Sequence, residues 1–120
     1  MWHILKVLKL ESLVLIINNS MIDIICLITE TPSLNLRVGK FSGVPVYLNE
    51  NHYVIVDIPN YLFVAVDYST GIGFATGKTY SDCQALAVDR ILNHNEKRLK
   101  NINFQKELAT LRGIKFPLNQ

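Results

Sequence analysis

The chain has 120 residues, of which 49% are hydrophobic and 18% are charged. This length suits one domain with a sizeable core, and the composition is too apolar and too weakly charged for a disordered chain. The net charge is +2, but residues 90–116 hold seven basic and two acidic side chains. A basic C-terminal quarter favours a polyanionic or acidic partner, although an ordinary solvated helix surface has the same composition.

The first twenty residues leave several interpretations open. Their apolar run from Leu13 to Ile17 is too short for a signal-peptide core or a membrane span, so export and membrane insertion are not expected. The stretch from Ile4 to Lys9 fits an amphipathic helix, and Leu13 to Ile17 fits a buried strand. Alternatively, Met21 is the physiological start and residues 1–20 are an extension of a single domain at 21–120.

Residues 22–77 predict an antiparallel β-meander. The apolar run from Ile22 to Thr29 predicts a buried strand. Later strands, separated by turn residues, are predicted at Leu34–Phe41, Val44–Leu48, Tyr53–Ile58, Leu62–Tyr68 and Ile72–Thr76. A hairpin turning at Pro59-Asn60 places Asp67 opposite Tyr53. Alternation within this hairpin puts Asp57 and Asp67 on the solvent side and the opposite face against a helix.

A helix is predicted to follow the last strand. Thr79 suits its N-cap because Asp82 stands three residues on, in a variant of the capping box. Apolar residues then recur at helical spacing and form one stripe: Ala85, Val88, Leu92, Leu99 and Ile102. This stripe suits packing on the sheet, with a short coiled coil as the alternative. The poor helix formers Asn93-His94-Asn95 are a possible break.

A last short helix is predicted at Phe104–Arg112, with Phe104, Leu108 and Leu111 on one face and Gly113 at its end. The sequence therefore predicts the α+β class, with an antiparallel meander of four to five strands packed against a C-terminal helix and a further short C-terminal helix. The predicted core between sheet and helix consists of Val56, Ile58, Val64, Val66, Val88 and Leu92.

The segment Gly71 to Thr79 is similar to a phosphate-binding loop but does not match it. The pattern requires glycine where this chain has Ile72, and the flanking strand belongs to a meander. The glycines instead predict a tight turn, a bulge and a link to the helix. Free amides at the helix start, beside Lys78, keep a weaker phosphate or carboxylate site as an alternative.

Residues with catalytic potential are sparse. His52 and Asp67 form a candidate general-base pair, and Cys83 falls in the first helical turn, where a helix dipole lowers a thiol pKa. A small enzyme built around His52, Asp67 and Cys83 is therefore an alternative hypothesis. Neither Cys83 nor Cys26 belongs to a metal-binding pattern, so both are expected to be buried free thiols in a reducing cytoplasm. No catalytic residue, metal or cofactor is predicted.

Two small families resemble part of the chain, about Tyr53 to Leu92. The β-β-β-α order with Gly77-x-Thr79 at the helix start resembles HicB-type antitoxins. The glycine-rich last strand before an alanine-containing helix resembles double-stranded RNA-binding domains, although Lys78 stands alone where they carry several lysines. These resemblances imply an antitoxin-type or nucleic-acid-binding regulator and assign no site residue.

The basic C-terminal quarter supplies the candidate binding surface. On a helix from Ser81 to Ile102, basic and polar residues share one solvent-facing strip, namely Arg90, His94, Lys97 and Asn101, with Arg98 beside them. The predicted binding residues are Lys78, Arg90, Lys97, Arg98 and Lys100. We therefore expect a small non-enzymatic binding or regulatory module in the cytoplasm that acts through protein or polyanion contacts, with nucleic acid and homodimerisation as open alternatives.

Overall fold

A computed structural model describes residues 5–10, 13–18, 20–30 and 32–119, with side chains from residue 20 onward. Within these residues, the strands are β1 (Leu5–Leu10), β2 (Leu13–Asn18), β3 (Ile22–Glu30), β4 (Asn35–Leu48), β5 (Asn51–Asp57), β6 (Phe63–Asp67) and β7 (Gly73–Gly77), and the helices are α1 (Tyr80–Asn93) and α2 (Asn95–Leu111). The antiparallel sheet with two C-terminal helices confirms the predicted α+β class.

The sheet order is β1-β2-β4-β5-β6-β7, with β3 paired to β4, and all these pairs are antiparallel. The turn predicted at Ser42-Gly43 is wrong, because β4 runs through both residues. Gly43 pairs with Ile22 on one side and with Val56 on the other. A Cβ atom on Gly43 would overlap the carbonyl oxygen of Ile55. This glycine therefore marks a close approach of strands.

Strand β3 also reaches β7, so the sheet curls back on itself. Leu27 forms an isolated parallel bridge with Ile72, and its N–H donates to the carbonyl of Gly71 at 2.7 Å. The curled sheet encloses an inner apolar core made of Ile24, Cys26, Ile28, Val54, Val56, Ile58, Val64 and Val66.

The helices cover the outer face of the same strands. Buried residues of α1 and α2, including Ala87, Ile91 and Ile102, belong to one cluster with Tyr53 and Phe74. The predicted single core is therefore wrong. Val56, Ile58, Val64 and Val66, from β5, β6 and the turn between them, lie in the inner core, and Leu92 is 44% exposed. The face predicted for the helices is wrong as well, because Tyr53, Ile55 and Ala65, on the same side as Asp57 and Asp67, belong to the helix-covered cluster. Both faces of β5 and β6 are apolar, so alternation in their sequence does not show which face the helices cover.

The predicted helix break is confirmed at His94, which is the C-cap of α1 and the N-cap of α2. The predicted cap is confirmed too, since the Thr79 hydroxyl accepts from the Asp82 N–H at 3.1 Å. The second helix is longer than predicted, at 17 residues. Its predicted apolar face is wrong, because Phe104 and Leu111 are exposed.

The N-terminal strands pair with each other, and β2 also pairs with β4 through Ile17 and Val46. The helix predicted from Ile4 to Lys9 is wrong over residues 5–9, which belong to β1, while Ile4 lies outside the described residues. The strand predicted at Leu13 to Ile17 is confirmed. Whether residues 1–20 are an extension stays a prediction. Neither described helix combines the length and apolar character needed to cross a membrane.

The segment after α2 returns to β3. Gly113, in the left-handed region at φ 90°, turns the chain, and Ile114, Phe116 and Leu118 pack against the outer cluster. The Asn119 amide then pairs with the main chain of Ile25, accepting from its N–H at 2.8 Å and donating to its carbonyl at 2.9 Å. These two hydrogen bonds fasten the C-terminal segment to an edge of β3.

Candidate functional site

A cavity of about 400 Å³ lies where α1 meets α2. It is lined by Phe74, Leu86, Asp89, Arg90, His94, Lys97, Arg98 and Asn101. The helix breaks at His94, but the five residues that the sequence places on one helical face still lie together. All of them line this cavity, namely Arg90, His94, Lys97, Arg98 and Asn101.

Arg98 is the most buried charged residue of this cavity, with 5% of its surface exposed. Its Nε and Nη2 donate to Asn95 Oδ1 at 3.0 and 2.8 Å, and Nη2 also donates to Asn51 Oδ1 at 3.1 Å. The guanidinium lies over the Phe74 ring, 4.8 Å from its centroid. This burial corrects the prediction that Arg98 lies in a solvent-facing strip.

The hydrogen-bond partners of Arg98 are neutral. No ion pair among the described residues joins Arg98 to a carboxylate. Burial lowers the pKa of Arg98, while Asp67 acts in the opposite direction through space. Removing a cation from water is costly unless an anion or several acceptors compensate. The protein thus holds a largely buried positive charge whose direct partners are two neutral amide oxygens and an aromatic ring.

One nitrogen of Arg98 remains open. Nη1 makes no hydrogen bond with the described residues. Among these residues, the buried side-chain polar atoms that lack a hydrogen-bond partner are His52 Nε2, Tyr80 Oη and Gln84 Nε2. Because Nη1 is not one of those buried atoms, part of its surface is accessible, and Arg98 is one of the residues that line the cavity. The rest of the guanidinium is held by the protein.

Two more cations line the cavity from exposed positions. Arg90 donates through Nη1 to the Phe74 carbonyl oxygen, and Lys97 takes part in none of the ion pairs between described residues. The cavity also contains one carboxylate, Asp89, whose Oδ2 lies 3.8 Å from His94 Nε2. With His94 neutral, three cations against one carboxylate leave two positive charges around the cavity.

The other two predicted binding residues lie away from this lining. Lys78 is exposed between β7 and α1, and Lys100 pairs with Glu96 on the surface of α2, Nζ to Oε1 at 3.2 Å. The alternative anion site beside Lys78 stays a prediction. Gly77 packs closely there, since a Cβ atom on it would overlap the Cys83 amide nitrogen.

The predicted turn and bulge near the glycine-rich segment are confirmed. Gly71 has φ 74°, a left-handed conformation that favours glycine. The pairing of β6 with β7 shifts register between Ala65 and Val66, where Val66 pairs with Gly73. These glycines therefore serve the backbone geometry.

The predicted pairing of Tyr53 with Asp67 is confirmed. His52 stacks between Tyr47 and Tyr68, with ring centroids 4.0 and 4.1 Å apart. Burial lowers the pKa of His52, and the charge of Asp67 partly opposes this shift. Asp67 Oδ2 accepts hydrogen bonds from the turn that follows, including one from the Thr70 N–H at 3.2 Å. Asp67 therefore closes a turn.

Cys83 is a buried free thiol, as predicted. It donates to the Ala75 carbonyl at 3.7 Å, and burial raises its pKa to about 12. A thiol with this pKa is not a thiolate at neutral pH. Among the described residues, no group of three or more histidine, cysteine or acidic side chains is placed to hold a metal ion. The enzyme hypothesis gains no support from this arrangement.

The sequence prediction missed the special position of Arg98. A signal was present in the heptad spacing of Ile91, Arg98 and Gln105, which are all buried on the sheet-facing side. Asn95, one turn before Arg98, was a second signal, because its side chain accepts from the guanidinium. The partnership with Asn51 depends on tertiary structure and has no local signature.

Comparisons with protein-family models, with curated proteins and with solved structures find no match.

Proposed function

We propose that this protein is a small non-enzymatic binding module whose cavity at the α1–α2 junction receives an anionic group of a protein or polyanion. The observation that carries the proposal is the burial of Arg98 in the cavity lining among neutral acceptors, with Nη1 making no hydrogen bond to the described residues. An incoming anion would compensate the buried charge.

The site suits binding because Arg98 is already held in place. Asn51 and Asn95 position the guanidinium, and Phe74 supports it from one face. A preorganised donor loses little conformational entropy when a ligand arrives. The exposed cations Arg90 and Lys97 add attraction at longer range, which increases the rate of encounter with an acidic partner.

The proposal includes the cytoplasm as the place of action, since the buried thiols of Cys26 and Cys83 suit a reducing compartment. Nucleic acid remains one of the polyanions that the module would accept. Binding through so few cations is expected to be insensitive to base sequence and to weaken as salt increases.

Titration of the full chain with inorganic polyphosphate and with poly-glutamate tests the proposal. We expect saturable binding that weakens between about 50 and 200 mM salt, because the free-energy gain from releasing counterions becomes smaller as the salt concentration rises. The double variant R90Q/K97Q should lose about tenfold or more in affinity, since each charge-assisted hydrogen bond contributes substantially.

The matched control is K40Q/K115Q, which removes the same number of charges at exposed positions outside the cavity. Its affinity should stay within about twofold of the parent. Equal losses in the two double variants would show that general charge is responsible, and the proposed site would be wrong.

A further inference from the structure

We infer that the anionic group received by this cavity is a phosphate monoester in its dianionic form. This inference rests on the proposed function and specifies its ligand. The cavity lining has two uncompensated positive charges when His94 is neutral. A phosphate monoester carries a charge of about −1.5 to −2 at neutral pH, so it matches this excess.

The hydrogen bonds of Arg98 limit how this side chain contacts a ligand. Arginine frequently binds carboxylates and phosphates through two guanidinium nitrogens in parallel. Here both hydrogens of Nη2 and the single hydrogen of Nε are directed to Asn95 and Asn51. Only Nη1 remains, so Arg98 offers one nitrogen in place of the two-nitrogen fork.

The remaining donors come from separate side chains. Arg90 uses one Nη1 hydrogen for the Phe74 carbonyl and keeps its other N–H groups, and Lys97 has three N–H groups. Together with Arg98 Nη1, they approach the cavity from α1 and α2. A tetrahedral group with three terminal oxygens matches three separate donors better than a planar group with two.

The apolar walls of the cavity are limited. Phe74 is 6% exposed, and the guanidinium of Arg98 covers its ring. Leu86 is half-buried and supplies the other apolar lining. A volume of about 400 Å³ is at the lower end of small-molecule sites. Recognition therefore concerns the phosphate itself, which either a small phosphorylated metabolite or a phosphorylated side chain provides.

Calorimetric titration of the full chain with phosphoserine, sulfate and succinate tests the charge and shape of the ligand. Measurements at about pH 5 and about pH 8 lie on either side of the second phosphate pKa near 6. Phosphoserine should bind several-fold more tightly at the higher pH. Sulfate is a dianion at both values, so it is the control for any effect of pH on the cavity itself, whose charged and titratable lining groups are Asp89, Arg90, His94, Lys97 and Arg98.

Sulfate should not bind more tightly at the higher pH, because its own charge is the same at both values. Succinate, a dianion with planar carboxylates, should bind about tenfold more weakly than phosphoserine at the higher pH. Equal affinity for succinate and phosphoserine would overturn the inference, as would a phosphoserine affinity that follows sulfate between the two pH values.

The variant N51D provides an independent test. It replaces a neutral partner of Arg98 with a carboxylate of the same size, so the buried charge is compensated within the protein. Phosphoserine affinity should fall about tenfold or more, while Tm should change little because the new ion pair offsets the loss of the hydrogen bond from Asn51 Nδ2 to the Leu48 carbonyl at 3.3 Å. The control N103D adds the same charge at an exposed position of α2 outside this cavity, and its affinity should stay within about twofold of the parent.

Unchanged phosphoserine affinity in a folded N51D protein would contradict the inference. A tenfold loss in N103D as well would also contradict it, because general charge would then explain the result.

Binding of polyphosphate separates failure of the monoester inference from failure of the proposed function. If polyphosphate binds through Arg90 and Lys97 but phosphoserine and phosphorylated peptides do not, the binding module stands without the monoester site. If neither polyphosphate nor poly-glutamate binds, both proposals fail.

A phosphoserine-containing peptide distinguishes the two sources of the phosphate. Tighter binding of the peptide than of free phosphoserine indicates a phosphorylated protein partner, and equal or weaker binding indicates a small metabolite. Each result is compatible with the monoester site, provided that the unphosphorylated peptide does not bind.

Discussion

Burial lowers the pKa of two basic side chains in this protein, Arg98 and His52, with different consequences. An arginine pKa is so high that Arg98 stays charged at neutral pH. The pKa of His52 is normally 6.5, so a downward shift favours the neutral ring. The stacked tyrosines on both sides of His52 therefore hold an uncharged imidazole near neutrality.

We expect His52 to make the protein less stable as the pH falls below about 6.5. The unfolded chain binds the proton more readily than the native protein, so acid favours unfolding over this range. The variant H52F keeps a ring in the stack but does not titrate. The difference in Tm between about pH 7 and about pH 5 should be smaller in H52F than in the parent. An identical pH dependence would show that His52 is not responsible.

Gly43 should be the most sensitive glycine of β4. A Cβ atom there would meet the Ile55 carbonyl oxygen and the Cγ1 atoms of Val54 and Val56. Backbone atoms paired in a sheet cannot move away without loss of pairing, so G43A should cost about 1–3 kcal/mol or more in the free energy of unfolding. Urea denaturation measures this loss.

The control for this prediction is G39A in the same strand. The nearest atoms there, at 3.0 and 3.1 Å, belong to the movable ring of Phe41. G39A should therefore cost much less than G43A. Similar losses in both variants would mean that general strand propensity, and not the close approach at Gly43, determines the effect.

Local features of the strands and helices were predictable from sequence because they depend on neighbouring residues. The Thr79 cap, the break at His94 and the pairing of Tyr53 with Asp67 belong to this class. The continuity of β4 was not predictable, because Ser42-Gly43 has the composition of a turn and only the tertiary pairing shows a close approach. The return of β3 to β7 has no local signal.

The predictions of which helix faces are buried were wrong for a related reason. The buried side of α2 contains Arg98 and Gln105, which hydropathy assigns to solvent, while apolar Phe104 and Leu111 are exposed. The Gln105 side chain instead bonds to the Gly73 carbonyl at 3.3 Å. The candidate site was thus predictable as a group of basic residues on the helices, but its concave shape and the burial of Arg98 required the tertiary structure.

Two residues of α2 test this assignment of faces. Ile102 is 4% exposed in the outer cluster, whereas Leu99 is 46% exposed. I102A should cost about 2–4 kcal/mol in the free energy of unfolding because it leaves a cavity, and L99A should cost less than about 1 kcal/mol. Chemical denaturation compares them directly. A larger loss for L99A would mean that α2 is rotated relative to the sheet.

The fold as a whole depends on contacts between residues that are distant in sequence. Asn119 satisfies the main-chain N–H and carbonyl of Ile25 across 94 positions. Exposed strand edges with unpaired main-chain groups promote association between molecules. The C-terminal segment therefore protects part of the β3 edge as well as stabilising it.

We expect N119A to lose about 1–3 kcal/mol in the free energy of unfolding, because Ile25 loses both partners. The variant should also associate at high concentration, measured by light scattering, since the edge of β3 becomes open. The control N103A changes an exposed asparagine of α2 and should alter neither property. Unchanged stability, together with no more association than in the parent, would show that these hydrogen bonds are dispensable.

The inner core and the helix junction should differ in how their amide hydrogens exchange with solvent. Strands β5 and β6 are covered on both faces, so their amides should open only with global unfolding and exchange most slowly. The amides near His94 lie at a break between two helices and should open by smaller local fluctuations. A ligand in the neighbouring cavity should therefore slow exchange around residues 94–98 far more than in β5. Exchange measured with and without the ligand would thus locate the binding site without any substitution.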